Sequence, residues 1–249
     1  MNHAASRTFL LVHGSWHGAW CWRRVRPHLQ SAGFDSHAVT LTGVGERRHL
    51  LSAQINLETH VRDVLGVIDA EELSRIVLVG HSYGGMVITG VIGALQKQGR
   101  ADLVEQLVFL DAHTPRNGES WYDLMVPELA DQRVQQGMTE GGGVFLPPPD
   151  ASVFGLDGAD RDWVNRRQTP QPFGVFQSKV SVDDAALHAM PRTYIDCTNP
   201  QLALLNVSRA RVKADLTWRY VAMDIGHDPM VNAAEPLAQL LVEAARREP

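Results

Sequence analysis

The sequence predicts an α/β protein: a mostly parallel sheet with helices on both faces and a long insertion between two of its strands. Short apolar runs rich in branched residues alternate with helical patterns at the spacing of βα units. The alternation stops near Thr114 and resumes near Arg192. Between those points the text is rich in Gly and Pro, as in "TEGGGVFLPPPD" and "TPQPFGVFQ".

Each element has its own signal. Thr8–Val12 (TFLLV) is apolar and branched enough for a buried strand, and His13-Gly14-Ser15 ends it. Trp20 to Ser31 fits an amphipathic helix through Val25, His28 and Leu29, with Gly33 as its stop. Phe34 to Leu41 is the second strand, and Thr42 to Asn56 a polar loop. Leu57 to Leu73 is a helix through Val61, Val64, Leu65 and Ile68. Ser74 to Val79 is the third strand, and Tyr83 to Gln98 a helix apolar nearly all round, hence buried. Leu103 to Leu110 is the fourth strand. The insertion, 114–191, carries helical pieces at Ser120–Gln135 and Asp160–Arg167. Strand Arg192–Cys197, helix Pro200–Arg211, strand Leu216–Met223 and helix Met230–Arg246 complete the pattern. Residues 1–113 and 192–249 are therefore expected to form one core domain, with 114–191 as a lid over the strands' C-terminal edge, where open parallel sheets bind ligands.

The chain has 249 residues, 44% hydrophobic and 20% charged, enough for one large core. Its net charge of −5 and short basic pairs give no footing for nucleic acid or a membrane surface. The opening stretch MNHAASRTFLLVHG lacks the apolar length of a signal peptide, and no segment approaches a membrane span. Cys21 and Cys197 show no metal-site spacing. The expectation is a cytoplasmic protein with free thiols.

The chemistry starts at "VLVGHSYGGM", Val77 to Met86. Gly80-x-Ser82-x-Gly84 after a strand and before a helix is the pattern of a nucleophile elbow. The strained turn needs small neighbours, and the glycines supply the room. Ser82 then stands at a helix N-terminus, where free N–H groups favour developing negative charge. The N–H of Tyr83 is one expected oxyanion donor and that of Ser15, in "VHGSWHGAW", the other. The alternative for Ser82 is an ordinary strand-to-helix turn, and His13 and Gly14 also serve simply to build a turn. Trp16, His17, His113 and Trp121 are candidate pocket residues, although an aromatic at such places is as often core packing.

Of eleven histidines, His227 stands apart. It follows the last strand in "MDIGHDPM" and precedes the last helix, a loop that overhangs the strand ends and reaches the elbow. His28 and His60 lie on helices; His3, His37, His49 and His188 lie in or beside polar stretches. His81 flanks the serine and is expected to point away from it. Asp228, next to the base, reads as a cap for the final helix.

These pieces resemble the α/β-hydrolase superfamily, and within it the plant methyl esterase and hydroxynitrile lyase group with its bacterial esterase relatives. The matching segments are "LLVHGSWHGAWCW", "VLVGHSYGGM", "VFLDAHTP", "YIDCT" and "GHDPM", in the right order across nearly the whole chain. The resemblance implies the α/β-hydrolase fold, a Ser-His-Asp triad, and an esterase that needs no cofactor or metal. Family members are often homodimers.

The sequence departs from the plant esterases at the acid. Their aspartate follows the strand after the lid; here that place reads "YIDCTNPQLAL", with no carboxylate after Cys197. Asp196 is near in number but sits within the strand, where side chains alternate faces. Asp111 ends the strand before the lid, the place where certain haloalkane dehalogenases of the superfamily carry the triad acid. It keeps the order Ser, Asp, His. Asp111 is therefore the expected acid, with Asp196 as the alternative and, behind it, Asp224 or no acid at all.

The implied reaction is hydrolysis of a small carboxylic ester, such as a methyl or aryl ester, through an acyl-enzyme. A lactonase or amidase would use the same triad. A hydroxynitrile lyase is disfavoured, because the lyase places for lysine, glutamate and threonine hold Asp228, His81 and Gly14. A non-catalytic small-molecule receptor is disfavoured by the presence of both Ser82 and His227.

Overall fold

The structure is a computed structural model that describes residues 7–247. Residues 1–6, which include His3 and open the stretch read as lacking a leader, lie outside the described residues. Eight strands form among the described residues: β1 (Thr8–Val12), β2 (Asp35–Val39), β3 (Ile76–His81), β4 (Val104–Leu110), β5 (Phe145–Leu146), β6 (Gln171–Pro172), β7 (Arg192–Cys197) and β8 (Arg219–Met223). The helices are α1 (Arg26–Ser31), α2 (Leu57–Ala70), α3 (Gly84–Lys97), α4 (Pro127–Thr139), α5 (Gly158–Asn165), α6 (Asp184–Ala189), α7 (Asn206–Ala214), α8 (Pro229–Asn232) and α9 (Ala234–Arg246).

Six strands pair in the order β2-β1-β3-β4-β7-β8, every pair parallel. Alternation along each strand divides the core. Leu10 and Val12 of β1 join Ile76 and Leu78 of β3 in one apolar cluster, while Phe9, Leu11, Val77 and Val79 join the other. Helices α2 and α3 cover the first face and α1 and α9 the second. Each fully buried Leu or Val there contributes roughly 1.5–3 kcal/mol, so the sheet is a rigid platform for what hangs off its ends.

Helix α2 begins where the sequence says it should. The Asn56 side chain accepts the Thr59 N–H and the Thr59 side chain accepts the Asn56 N–H, a reciprocal cap. The chain leaves β1 toward β2 on one side and β3 on the other, so the loops after β1 and β3 open a crevice at a topological switch point. Residues Gly14, Ser15 and Ser82 lie there.

Several expected elements are shorter or divided. The Trp20–Ser31 helix is a 3-10 turn, Ala19–Arg24, followed by α1, because Pro27 can sit only near a helix start. Pro200–Arg211 becomes a turn at Ala203–Leu205 and then α7. Strand β8 begins at Arg219 rather than Leu216, because Asp215 Oδ1 accepts the N–H and hydroxyl of Thr217 and holds a turn there. The final helix breaks at Ala233 into α8 and α9. Between β4 and β7 the chain forms α4, the β5–β6 ladder, α5 and α6. Residues Gly45–Leu50, read as plain loop, form a 3-10 turn. Among the described residues, no helix is long and apolar enough to cross a membrane.

Candidate active site

Ser82 follows β3 with φ +55°, the left-handed conformation of a strained elbow. The surrounding glycines have no spare space. A Cβ on Gly80 would stand 2.6 Å from the Gly84 carbonyl oxygen, one on Gly84 would stand 2.9 Å from the carbonyl oxygens of Val12 and His13, and one on Gly85 would stand 2.0 Å from that of His113. The Ser82 N–H donates to Leu110 O at 3.1 Å, and its carbonyl accepts the N–H of His113 at 3.1 Å. The turn is thus anchored to the end of β4. Ser82 is part-exposed, while His81 and Tyr83 on either side are buried.

The loop after β1 lies directly over the serine. A Cβ on Gly14 would fall 2.7 Å from Ser82 Cβ and 2.9 Å from His81 Nδ1. His13 holds this loop: its Nδ1–H donates to Gly14 O at 2.7 Å and its Nε2 accepts the Leu41 N–H at 3.1 Å. Burial pushes the His13 pKa down to about 3, so the ring is neutral and can serve both roles. The Trp16 N–H goes to Gln171 Oε1 at 3.0 Å. Among the described residues, neither the Ser15 N–H nor the Tyr83 N–H has a protein acceptor.

His227 lies between β8 and α8, just as the loop reading requires. Its Nδ1–H donates to Asp111 Oδ2 at 2.7 Å, and both groups are buried. That bond leaves the lone pair on Nε2, the form of a general base. Its backbone is held twice: the N–H donates to Phe154 O at 2.8 Å, and the carbonyl accepts His81 Nε2–H at 2.9 Å. Asp111 has φ +38°, and its N–H donates to Ile195 O at 2.7 Å. With Trp16 at φ +65°, three strained non-glycine residues sit at three adjoining strand ends.

Asp196, the alternative acid, makes no contact with His227. Its Oδ1 accepts Arg209 Nε–H at 2.5 Å, and its Oδ2 accepts the Tyr220 hydroxyl. Arg209 also donates from Nη2 to Asp111 Oδ1 at 2.8 Å.

Asp228 does not cap a helix through its side chain. Its Oδ2 accepts His17 Nε2–H at 3.0 Å instead, while His17 Nδ1–H donates to Ser15 O at 2.7 Å. Two donated protons require the imidazolium. Burial opposes that charge, but Asp228 outweighs it and raises the His17 pKa. On the partner, burial is again overcome, by His17, and the Asp228 carboxyl falls to about 2. His17 therefore braces the loop carrying Ser15, and both of its ring nitrogens are spent inside the protein rather than in the pocket.

The ring of His113 lies 5.9 Å from Trp121, and burial with the nearby His227 lowers its pKa to about 3. Trp121 packs on Tyr83 at 5.1 Å and Trp16 at 6.4 Å, and Phe154 lies 5.6 Å from His227. Trp16 also stacks on Phe154 at 6.3 Å, so Trp16, Trp121 and Phe154 form one aromatic cluster that touches Tyr83 and His227. Arg133 of α4 lies over Trp16 at 5.5 Å.

His81, His227 and Asp228 bring ligand-type atoms within 4.8 Å of one another. One ligand-type atom of each is engaged, Asp228 Oδ2 by His17, His227 Nδ1 by Asp111 and His81 Nε2 by a carbonyl, while Asp228 Oδ1 and His81 Nδ1 are buried without a hydrogen-bond partner among the described residues.

The profile of the alpha/beta hydrolase family matches residues 9–240. The chain belongs to that family. The carbendazim hydrolyzing esterase of Nocardioides sp. (strain SG-4G) is 37% identical to this alpha/beta hydrolase over 241 residues, covering 94% of the chain and 97% of that protein. The putative chloroplastic methylesterase 11 of Arabidopsis thaliana is 24% identical over 261 residues, covering 97% of this chain and 64% of that one. An extracellular alpha/beta-hydrolase from a Paenibacillus species superposes with a TM-score of 0.85 at 21% identity, covering 98% of this chain and 100% of the other. Methylesterase MES16 from Arabidopsis superposes with a TM-score of 0.69 at 22% identity, covering 96% and 98%. These structural likenesses bear on the fold.

The His17–Asp228 pair and Arg209 escaped the sequence reading. Their partners lie 211 and 98 residues away, and an arginine in the polar helix "NVSRARVKA" reads as solvent-facing.

Proposed function

We propose that this alpha/beta hydrolase is a carboxylic ester hydrolase acting through Ser82, His227 and Asp111. The observation that carries this reading is the buried 2.7 Å bond from His227 to Asp111, made on a loop that His81, the residue before the part-exposed Ser82, holds by its bond to the His227 carbonyl. Ser82 Oγ attacks the ester carbonyl while His227 Nε2 takes its proton. Asp111 holds the tautomer and stabilises the imidazolium. The oxyanion is bound by the N–H groups of Ser15 and Tyr83, at the start of α3, where the helix dipole adds to them. His227 then protonates the departing alkoxide as the acyl–oxygen bond breaks. Water, deprotonated by His227, attacks the acyl carbonyl; the acyl–Oγ bond then breaks, the acid leaves, and His227 returns the proton to Ser82.

The substrate is a small ester, such as a methyl or aryl ester. The aromatic cluster of Trp16, Trp121 and Phe154, which touches the His227 ring, suits it, and relatives named as a carbendazim hydrolyzing esterase and as methylesterases point the same way. Residues 114–191 act as the lid, and Phe154 ties that segment to the base through the His227 N–H. The crowding at Gly14 disfavours a lyase with threonine there. Treatment with a p-nitrophenyl phosphonate, followed by peptide mass mapping, tests the assignment. One phosphonyl group on the Ser82 peptide is expected; a modified protein with an unmodified Ser82 peptide would refute it.

A further inference from the structure

We propose that Arg209, clamped by Asp196, is a positioning residue for the triad acid and sets the pH range over which the base works. This rests on the triad reading above. Asp111 turns one carboxylate oxygen to His227 and the other to Arg209 Nη2. The guanidinium is itself fixed on three sides. Nε donates to Asp196 Oδ1, and Nη1 donates to Leu202 O at 2.6 Å and Asn206 Oδ1 at 3.2 Å. Arg209, Asp111 and Asp196 are all buried. A planar fork with four bonds in place holds a carboxylate plane in a way that a freely turning side chain does not.

The cluster is also a balance of charge. Arg209 stands between two carboxylates. Asp196 is further met by the Tyr220 hydroxyl of β8, by Gln201 at 3.4 Å, and by the half-exposed Lys213 of α7 at 3.6 Å. Tyr194 and Cys197 of β7 are the other titratable groups near Asp111. Burial, and then Asp111's own charge, pushes both well above their ordinary values, so both stay neutral in the working range. His113 is held neutral too, and so, by burial, is His81, whose ring lies 4.5 Å from that of His227; the other charges facing the base are the Asp228 carboxylate and its partner His17, which both variants leave in place. The charge felt at His227 through Asp111 thus depends on Arg209 and, one step removed, on Asp196.

That arrangement predicts shifts of opposite sign. In Asp196→Asn, Arg209 gives its charge wholly to Asp111, the imidazolium is less well stabilised, and the acid limb of kcat/KM moves to lower pH. In Arg209→Met, Asp111 faces His227 uncompensated beside a second carboxylate, and the limb moves to higher pH. Each shift is about half a pH unit or more, the scale of a charge a few ångströms from a titrating group. Asp196→Asn is isosteric and tests the idea even if Arg209→Met fails to fold.

The experiment is the kcat/KM profile for p-nitrophenyl acetate between pH 5 and 9 in wild type, Ser82→Ala, Asp196→Asn and Arg209→Met. Opposite displacements of the acid limb, with Ser82→Ala inactive, support the proposal. Reduced rates with an unmoved limb in Asp196→Asn would make the cluster merely structural and overturn it, while leaving the triad intact. Full activity in Ser82→Ala would remove the triad reading and this inference together.

Discussion

His227 and Asp111 lie 116 residues apart in the chain and 2.7 Å apart in space. The sheet brings them together: Asp111 follows β4 directly, His227 follows β8, and β7 lies between those strands. The bond fixes which imidazole nitrogen carries the proton. Without it, a neutral imidazole is free to place its lone pair on the wrong side.

Gly14 is predicted to be intolerant of any side chain. In Gly14→Ala the new methyl meets Ser82 Cβ at 2.7 Å and His81 Nδ1 at 2.9 Å, so the loop bearing Ser15 must lift. If the Ser15 N–H binds the oxyanion as proposed, displacing it by about an ångström costs on the order of 10²-fold in kcat. Overpacking destabilises by about 1–3 kcal/mol. Steady-state kinetics with thermal melting checks both, and a variant with wild-type kcat would refute the placement of this loop.

The His17–Asp228 pair should make stability pH-dependent. His17 has a raised folded pKa, so its contribution is full below its unfolded value and is lost as pH rises through the folded one. Asp228 is lowered to about 2, so its contribution is present above its unfolded value of 3.8 and is lost as pH falls toward 2. The pair therefore stabilises most across mildly acidic to neutral pH. Asp228→Asn, which removes one partner of a buried pair, should cost about 3–5 kcal/mol there. Urea unfolding at pH 6 and pH 9 should give a larger deficit at pH 6; an equal deficit at both would contradict the ion pair.

Both cysteines should be silent in the native state. Cys21 and Cys197 are buried, and burial raises both thiols well above their ordinary value, with Asp228 adding to the first and Asp111 to the second. Thiolate is the reactive form. Ellman's reagent should find no fast-reacting thiol in folded protein and two after unfolding; a rapidly labelled native thiol would contradict the burial.

Much of this was legible in the sequence because it is local. The elbow is five consecutive residues with a steric reason for each glycine, and strand-helix alternation is a periodic signal. The position of His227, on the loop between the last strand and the helices that follow, was readable from the same alternation. What escaped is what depends on distant pairing or on one turn overriding a pattern. Asp215 captures Thr217 and delays β8, and Pro27 divides the helix expected at Trp20–Ser31. The partnership of Asp228 with His17 leaves no periodic trace, so a residue that looked like a helix cap supports the loop of Ser15 instead. Arg209 is hidden for the same reason, since only the folded sheet sets Asp111 and Asp196 on either side of it.

The measurement that tests the central claim most directly is p-nitrophenyl acetate hydrolysis by wild type, Ser82→Ala, Asp111→Asn and Asp196→Asn at each protein's optimal pH. The triad predicts that Ser82→Ala is inactive and that Asp111→Asn, folded as wild type, loses about 10⁴-fold in kcat through the wrong imidazole tautomer. Asp196→Asn should stay within about tenfold of wild type, because it acts only through Arg209. If Asp111→Asn is as active as wild type, or Asp196→Asn falls as far as Asp111→Asn is predicted to, the assignment of Asp111 as the acid is wrong.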